Sequence, residues 1–253
     1  MNTSTQSFAE RIRQGELLLG TVIGLSAVEN TEILAQCGFD WLFIDAEHGA
    51  FNPQQAVPIL QAAGQCPCLL RVPTHDETWL KKALDIGPAG IIVPQVNDAS
   101  SAEKIIRQCK YPPKGSRGMG LSRASQYGMQ LADYIQHAND SVAVILQAEH
   151  KDAAMNIEEI IDVEGIDAIL VGPFDLSASV GKPGQSNDPE VVELVDRITG
   201  ACTRRGVTLA TAVVGVDTAR EYIARGFTLV SAGADSLHLA NSARTVLDGL
   251  KDK

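Results

Sequence analysis

Several residues that could do chemistry stand where apolar runs of this sequence stop. The stretch Trp41 to Gly49, WLFIDAEHG, is apolar up to Ile44 and then delivers Asp45, Glu47 and His48 within four positions. On an extended chain Asp45 and Glu47 share a side and His48 follows where the chain turns, so a carboxylate and an imidazole can meet at the strand's carboxyl end. Arg71 stands inside the apolar run Leu69–Val72, and the run VAVIL leads into Gln147 and Glu149, two positions apart and so on one face. The segment ILVGPFDLSASVG turns at Gly172 and Pro173 and reaches Asp175 at the start of a short helix, whose free N–H groups can hold an anion. Glu149 and Asp175 form a pair suited to a hard cation such as Mg²⁺ or Mn²⁺, with Co²⁺ a further candidate. Two protein carboxylates leave coordination positions for water or substrate oxygens, as metal-assisted catalysis requires. Taken singly, Asp45 caps a turn, Asp175 caps a helix and Glu149 makes an ion pair; at successive strand ends the set favours a metal site. Asp85, in KKALDIG, could reach His48 from the following unit and fix its tautomer as a general base, and taken alone is a helix-terminal Asp. His75, His137, His150 and His238 have no comparable setting and read as structural or surface residues.

The elements that must position these groups alternate regularly. Apolar strands are expected at Leu17–Ile23, Trp41–Ile44, Leu69–Val72, Gly90–Val93, Val142–Ala148, Ala168–Val171, Val207–Val213 and Thr228–Ser231. Helical stretches intervene at Val28–Cys37, Pro53–Ala63, Trp79–Leu84, Ala99–Cys109, Asn156–Val163, Pro189–Arg205 and Asp217–Arg225, after a short amphipathic helix around Ser7–Gln14. Pro53 and Pro189 suit first helical turns, and glycines such as Gly87 and Gly206 suit helix ends. Eight such units in one chain predict an α/β fold of parallel strands, a single (β/α)8 TIM barrel over residues 1–253, in preference to a doubly wound open sheet. No GxGxxG or GxxxxGK[ST] follows a strand, so nucleotide binding has no motif behind it. The final helix, Leu237 to Leu250, has an apolar stripe that must pack on its own barrel or on a neighbour's.

A net charge of −10 argues against a nucleic-acid partner, which would need clustered Lys and Arg. The first sixteen residues lack an apolar core, and the run Leu17–Val28 is broken by Gly20, Thr21, Gly24 and Ser26, so neither signal peptide nor membrane span is expected. Five scattered cysteines in a chain of 253 residues read as reduced thiols of a cytoplasmic protein rather than disulfide staples. One segment breaks the rhythm. Lys110 to Gln130 carries Lys110, Lys114, Arg117 and Arg123 with no acid, and loops of this length are commonly lids, binding loops or interface arms.

The order FDWLFIDAEHG, LLRVP, ALDIG, YPPKGSRG, VILQAEH and ILVGPFDLSASVG resembles the HpcH/HpaI family of metal-dependent class II pyruvate aldolases, from about Thr21 to Leu239. The resemblance implies cleavage or formation of a 4-hydroxy-2-oxo acid, with pyruvate and an aldehyde as the small-molecule partners. It implies His48 as catalytic base, Asp85 as the group raising its basicity, and Arg71 as the cation stabilising the enolate-like transition state. Gln147 would hold substrate, Glu149 and Asp175 the metal, and the backbone at Phe174 and Asp175 the pyruvate carboxylate. It further implies a homo-oligomer, a hexamer with the final helix exchanged between subunits. The commonest family pattern has Ala or Ser where this chain has Phe174, and its loop after RGxG is often longer. The alternatives are a CoA-thioester lyase of the citrate lyase β or malyl-CoA lyase type and a non-catalytic barrel that binds metal and 2-oxo acid. The four cations of the long loop lead to the expectation that Arg123 or its neighbours select aldehydes with an anionic or polyhydroxy tail.

Overall fold

The computed structural model describes residues 6–251. Eight parallel strands, β1 (Leu18–Ile23), β2 (Trp41–Asp45), β3 (Cys68–Arg71), β4 (Gly90–Val93), β5 (Ala143–Ala148), β6 (Ala168–Val171), β7 (Thr208–Val213) and β8 (Leu229–Ala234), pair in chain order and close through β8 onto β1. The helices are α1 (Phe8–Arg13), α2 (Val28–Gln36), α3 (Pro53–Ala62), α4 (Glu77–Asp85), α5 (Ala99–Cys109), α6 (Leu131–Ser141), α7 (Lys151–Met155), α8 (Ile157–Ile161), α9 (Pro173–Ser179), α10 (Pro189–Arg205), α11 (Val216–Ala224) and α12 (Asp235–Lys251). This is the (β/α)8 barrel expected from the strand count.

The strands alternate their burial between two cores. Leu18, Trp41, Phe43, Leu69, Ile92, Ile145, Leu170 and Leu229 fill the barrel interior, where they join Phe8, Ala9 and Ile12 of α1. Gly20 makes room for the indole of Trp41, because a Cβ there would come within 2.5 Å of it. Helix α1 plugs the amino-terminal end of the barrel: Thr208 Oγ1 donates to Ile12 O at 2.7 Å, and Arg13 pairs with Asp167 at 2.6 Å. The second core, between strands and helices, takes the outward residues such as Ile44, Leu70, Ile91, Leu146 and Val171.

Local chemistry starts and stops the helices as anticipated. Asp98 accepts from Ser101 N to begin α5, while Asp188 caps α10, Pro189 occupies its first turn, and Gly206 ends it at φ 69°. Two features were not anticipated. Helix α6 follows the basic loop, and the helix expected at Asn156–Val163 begins earlier as α7 and breaks at Asn156. Of the residues of α12 only Asp235 is buried, while Leu239, Val246, Leu247 and Leu250 face water. Among the described residues no helix is long and apolar enough to cross a membrane.

Candidate active site

The carboxyl ends of β2, β3, β5 and β6 bring the polar groups together. In the β2–β3 register Asp45 lies opposite Arg71, and the two form a bidentate pair: Arg71 Nε donates to Asp45 Oδ1 at 2.9 Å and Nη2 donates to Oδ2 at 2.8 Å. The guanidinium also lies over the Phe43 ring, 5.2 Å from its centroid. Asp45 Oδ1 accepts from the backbone N–H of Glu47 and of His48, which folds the end of WLFIDAEHG back over the strand. Burial pushes the Asp45 carboxyl up, but the hydrogen bond and charge of Arg71, with the two backbone N–H groups, hold it below the ordinary carboxylate range.

Glu47 follows as a half-buried carboxylate. Its Oε2 lies 3.1 Å from Arg71 Nη1 and 4.0 Å from His48 Nε2, yet makes no aligned hydrogen bond. Burial raises its pKa against the lowering effect of Arg71. His48 itself projects into solvent, its side chain 69% exposed.

On the opposite wall, Gln147 Nε2 donates to Glu149 Oε2, and Gln95 N donates to Glu149 Oε1 at 2.8 Å. Gln95 reaches that carboxylate through a left-handed backbone, φ 57°. Gly172 packs directly on this pair: a Cβ there would meet Glu149 Cβ at 3.0 Å, so the close approach of α9 to β5 requires glycine. Burial pushes the Glu149 carboxyl up to about 7, and the nearby charges of Asp175 and Glu47 add to the rise while Gln95 N–H and Arg71 oppose it. His48, Arg71, Gln147, Phe174 and Asp175 line one cavity of about 340 Å³ at the barrel mouth.

Asp85 is not there. Helix α4 runs antiparallel to the strands it connects, so its last residue lies beside the amino-terminal end of β4, while His48 follows the carboxyl end of β2. Asp85 Oδ1 instead accepts from Arg117 Nη2 at 2.9 Å, and Arg117 is held between the rings of Tyr111 and Tyr134, 4.6 and 5.6 Å from their centroids. The expectation that Asp85 orients His48 is therefore corrected for a single chain. The basic loop is corrected with it. Arg123 Nη1 donates to Ile86 O at 2.7 Å, and a Cβ on Gly87 (φ 77°) would meet Ala124 at 3.0 Å, so the loop docks on the far end of α4 and is no lid over its own chain's cavity. Arg123 is thus committed to helix carbonyls away from that cavity.

Three further groups belong to the site although none of them was named as a catalytic, substrate or metal residue from sequence. Asp45 and Glu47 were visible in the motif, and pairing β2 with β3 would have put Asp45 beside Arg71. Gln95 contributes a backbone N–H, for which its side chain gives no signal.

Residues 23–242 match the profile of the HpcH/HpaI aldolase/citrate lyase family. The chain belongs to that family. Among HpcH/HpaI relatives, the 4-hydroxy-2-oxo-heptane-1,7-dioate aldolase of Shigella flexneri is 36% identical over 244 residues, covering 95% of this chain and 91% of that protein. The 4-hydroxy-2-oxovalerate aldolase of Rhodococcus jostii is 36% identical over 247 residues, covering 95% and 94%. A crystal structure of an HpcH/HpaI aldolase/citrate lyase family protein from Burkholderia cenocepacia superposes with a TM-score of 0.93 at 31% identity, covering 96% of this chain and 98% of that one.

Proposed function

We propose that this single-domain barrel is a divalent-metal-dependent class II aldolase that cleaves, or in reverse forms, a 4-hydroxy-2-oxo acid, giving pyruvate and an aldehyde. The enzyme is a carbon–carbon lyase, as its family membership and the aldolase names of its relatives support. The observation that carries the finer reading is the charge imbalance at the barrel mouth. Glu47, Glu149 and Asp175 influence one another, and the one guanidinium near them is already paired with Asp45.

The residues present fit a hard cation. The donors are oxygens, burial with the charges of Asp175 and Glu47 pushes the Glu149 carboxyl up to about 7, and Glu47 Oε2 and Gln147 Oε1 are buried without a hydrogen-bond partner. Among the described residues no group of three or more His, Cys, Asp or Glu is arranged to hold a metal, so the reading rests on two carboxylates, Glu149 and Asp175. A bound Mg²⁺, Mn²⁺ or Co²⁺ would act there as a Lewis acid toward the 2-oxo acid. Gln95 N–H and Gln147 fix the orientation of Glu149. Gln147 and the backbone N–H groups of Phe174 and Asp175 would bind the pyruvate half. Arg71, its fork locked by Asp45, presents a fixed positive charge where the keto oxygen becomes anionic as the C3–C4 bond breaks. His48, whose ring makes no hydrogen bond among the described residues and lines the cavity, would take the proton of the 4-hydroxyl. Asp85 can serve a His48 only if a second copy presents it. That requirement agrees with an assembly, a hexamer on the family resemblance, in which the uncovered α12 packs on a neighbour. Free thiols support a cytoplasmic setting.

The reading is tested by following pyruvate release from a 4-hydroxy-2-oxo acid after chelation and on adding back Mn²⁺. Release lost on chelation and regained with metal is expected in the parent, with no recovery in Glu149→Ala. Undiminished release after exhaustive chelation would contradict it, and turnover of a CoA thioester in place of the 2-oxo acid would support the citrate lyase branch.

A further inference from the structure

A second cavity, of about 230 Å³, lies directly beside the reaction pocket, outside β7 and between α10 and α11. The two have Pro173 and Phe174 as walls in common. The second is lined on its apolar side by Val192 and Val195 of α10, Val213 and Val214 at the end of β7, and Tyr222 of α11. Phe174 is 58% exposed, although its position at the start of α9 puts its backbone in the site already described. A bulky, half-exposed aromatic residue that lines both cavities acts on what enters them.

We propose that the Phe174 side chain is the specificity-determining element for the aldehyde half of the reaction: its ring partitions the reaction pocket from the valine-lined cavity and restricts the enzyme to aldehydes that fit the first alone. This rests on the aldolase reading and deepens it. The polar groups that recognise the 2-oxo acid gather around Arg71, Gln147 and Glu149, whereas the cavity beyond the ring has a valine side facing a polar side of Ser186, Asn187, Thr218, Glu221 and Arg225. An apolar tail reaching past the ring would lie against the valine side of that cavity. Arg123, bound to the carbonyl of Ile86, has no part in that choice within the chain.

The test is the ratio of kcat/KM for hexanal to that for acetaldehyde in addition to pyruvate. The parent should prefer acetaldehyde. Phe174→Ala joins the cavities and should raise the ratio by about 10- to 100-fold, the range that apolar pocket contacts discriminate, with Phe174→Leu intermediate. Val192→Trp, placed in the Phe174→Ala background at a helix position that is 38% exposed, refills the second cavity and should return the ratio toward the parent's. Exchange of the pyruvate C3 protons without aldehyde is measured on every variant. If the parent shows no exchange, the aldolase reading fails and the partition with it. If exchange is present but the ratio stays within about 2-fold in both Phe174 variants, the partition alone is wrong. A ratio that rises and is unaffected by Val192→Trp also overturns it, because the gain then comes from elsewhere than the valine cavity.

Discussion

At Glu149 burial and the neighbouring carboxylates act in the same direction. Its carboxyl stands at about 7 rather than the ordinary 4.5, raised by burial with Asp175 and Glu47 nearby. Between those two values the native state keeps a proton that the unfolded chain has released, so this group makes the metal-free protein less stable as pH rises from about 4.5 to about 7. Asp45 acts in the other direction and outside that window. Its carboxyl is held below the ordinary range by Arg71 against the effect of burial, so its contribution is lost only as pH falls through that depressed value. A cation that replaces the proton on Glu149 removes the penalty. Melting of the chelator-treated protein should therefore shift to lower temperature between about pH 5 and about pH 7.5, the shift should be smaller in Glu149→Gln, and Mn²⁺ should restore the parent alone. Equal melting curves for parent and variant across that range would remove Glu149 from the account.

At the scale of elements, the strands were legible because each is an apolar run bounded by glycine, proline or charge. Gly90–Val93 and Ala168–Val171 agree residue for residue, and Ala99–Cys109 and Pro189–Arg205 do so among the helices. The converging site followed from the same pattern, since Arg71, Gln147 and Glu149 end or follow such runs. What was not legible depends on direction and distance. The direction of α4 sends Asp85 to the other end of the barrel. The basic loop carries its cations as anchors, Arg117 between two tyrosines and Arg123 on the carbonyl of Ile86. Backbone donors such as Gln95 N leave no trace in residue type. Helix α12 was expected to pack its apolar stripe on its own barrel or on a neighbour's, and among the described residues Leu239, Val246, Leu247 and Leu250 are exposed. Truncation after Ala240 keeps Asp235, which accepts from Gly24 N and Leu25 N, and His238, whose ring meets Thr21 Oγ1 at 2.9 Å. If that stripe joins subunits, light scattering should give the truncated protein the mass of one chain. A truncated protein that keeps the parent's assembly would exclude α12 as the joining element.

For the whole molecule, the barrel sorts its charges by end. The amino-terminal end is closed by α1, by the Arg13–Asp167 pair and by the buried Lys110, which donates to Asn139 O at 2.7 Å. The mouth instead gathers carboxylates around one arginine and leaves a cavity of about 340 Å³ open to solvent. Such surplus negative charge in a half-buried cavity is unfavourable for the fold alone and useful for binding a cation together with a 2-oxo acid. On the proposed reading this mouth makes an enolate of pyruvate with the help of a divalent metal and the fixed charge of Arg71. Proton exchange at C3 of pyruvate in D₂O, followed by NMR without any aldehyde, tests it most directly. Exchange is expected only with protein and metal together, reduced by about 10² to 10³ in Arg71→Lys, which keeps the charge but loses the planar fork. Exchange that persists after exhaustive chelation, or that Arg71→Lys leaves at the parent's rate, would contradict it.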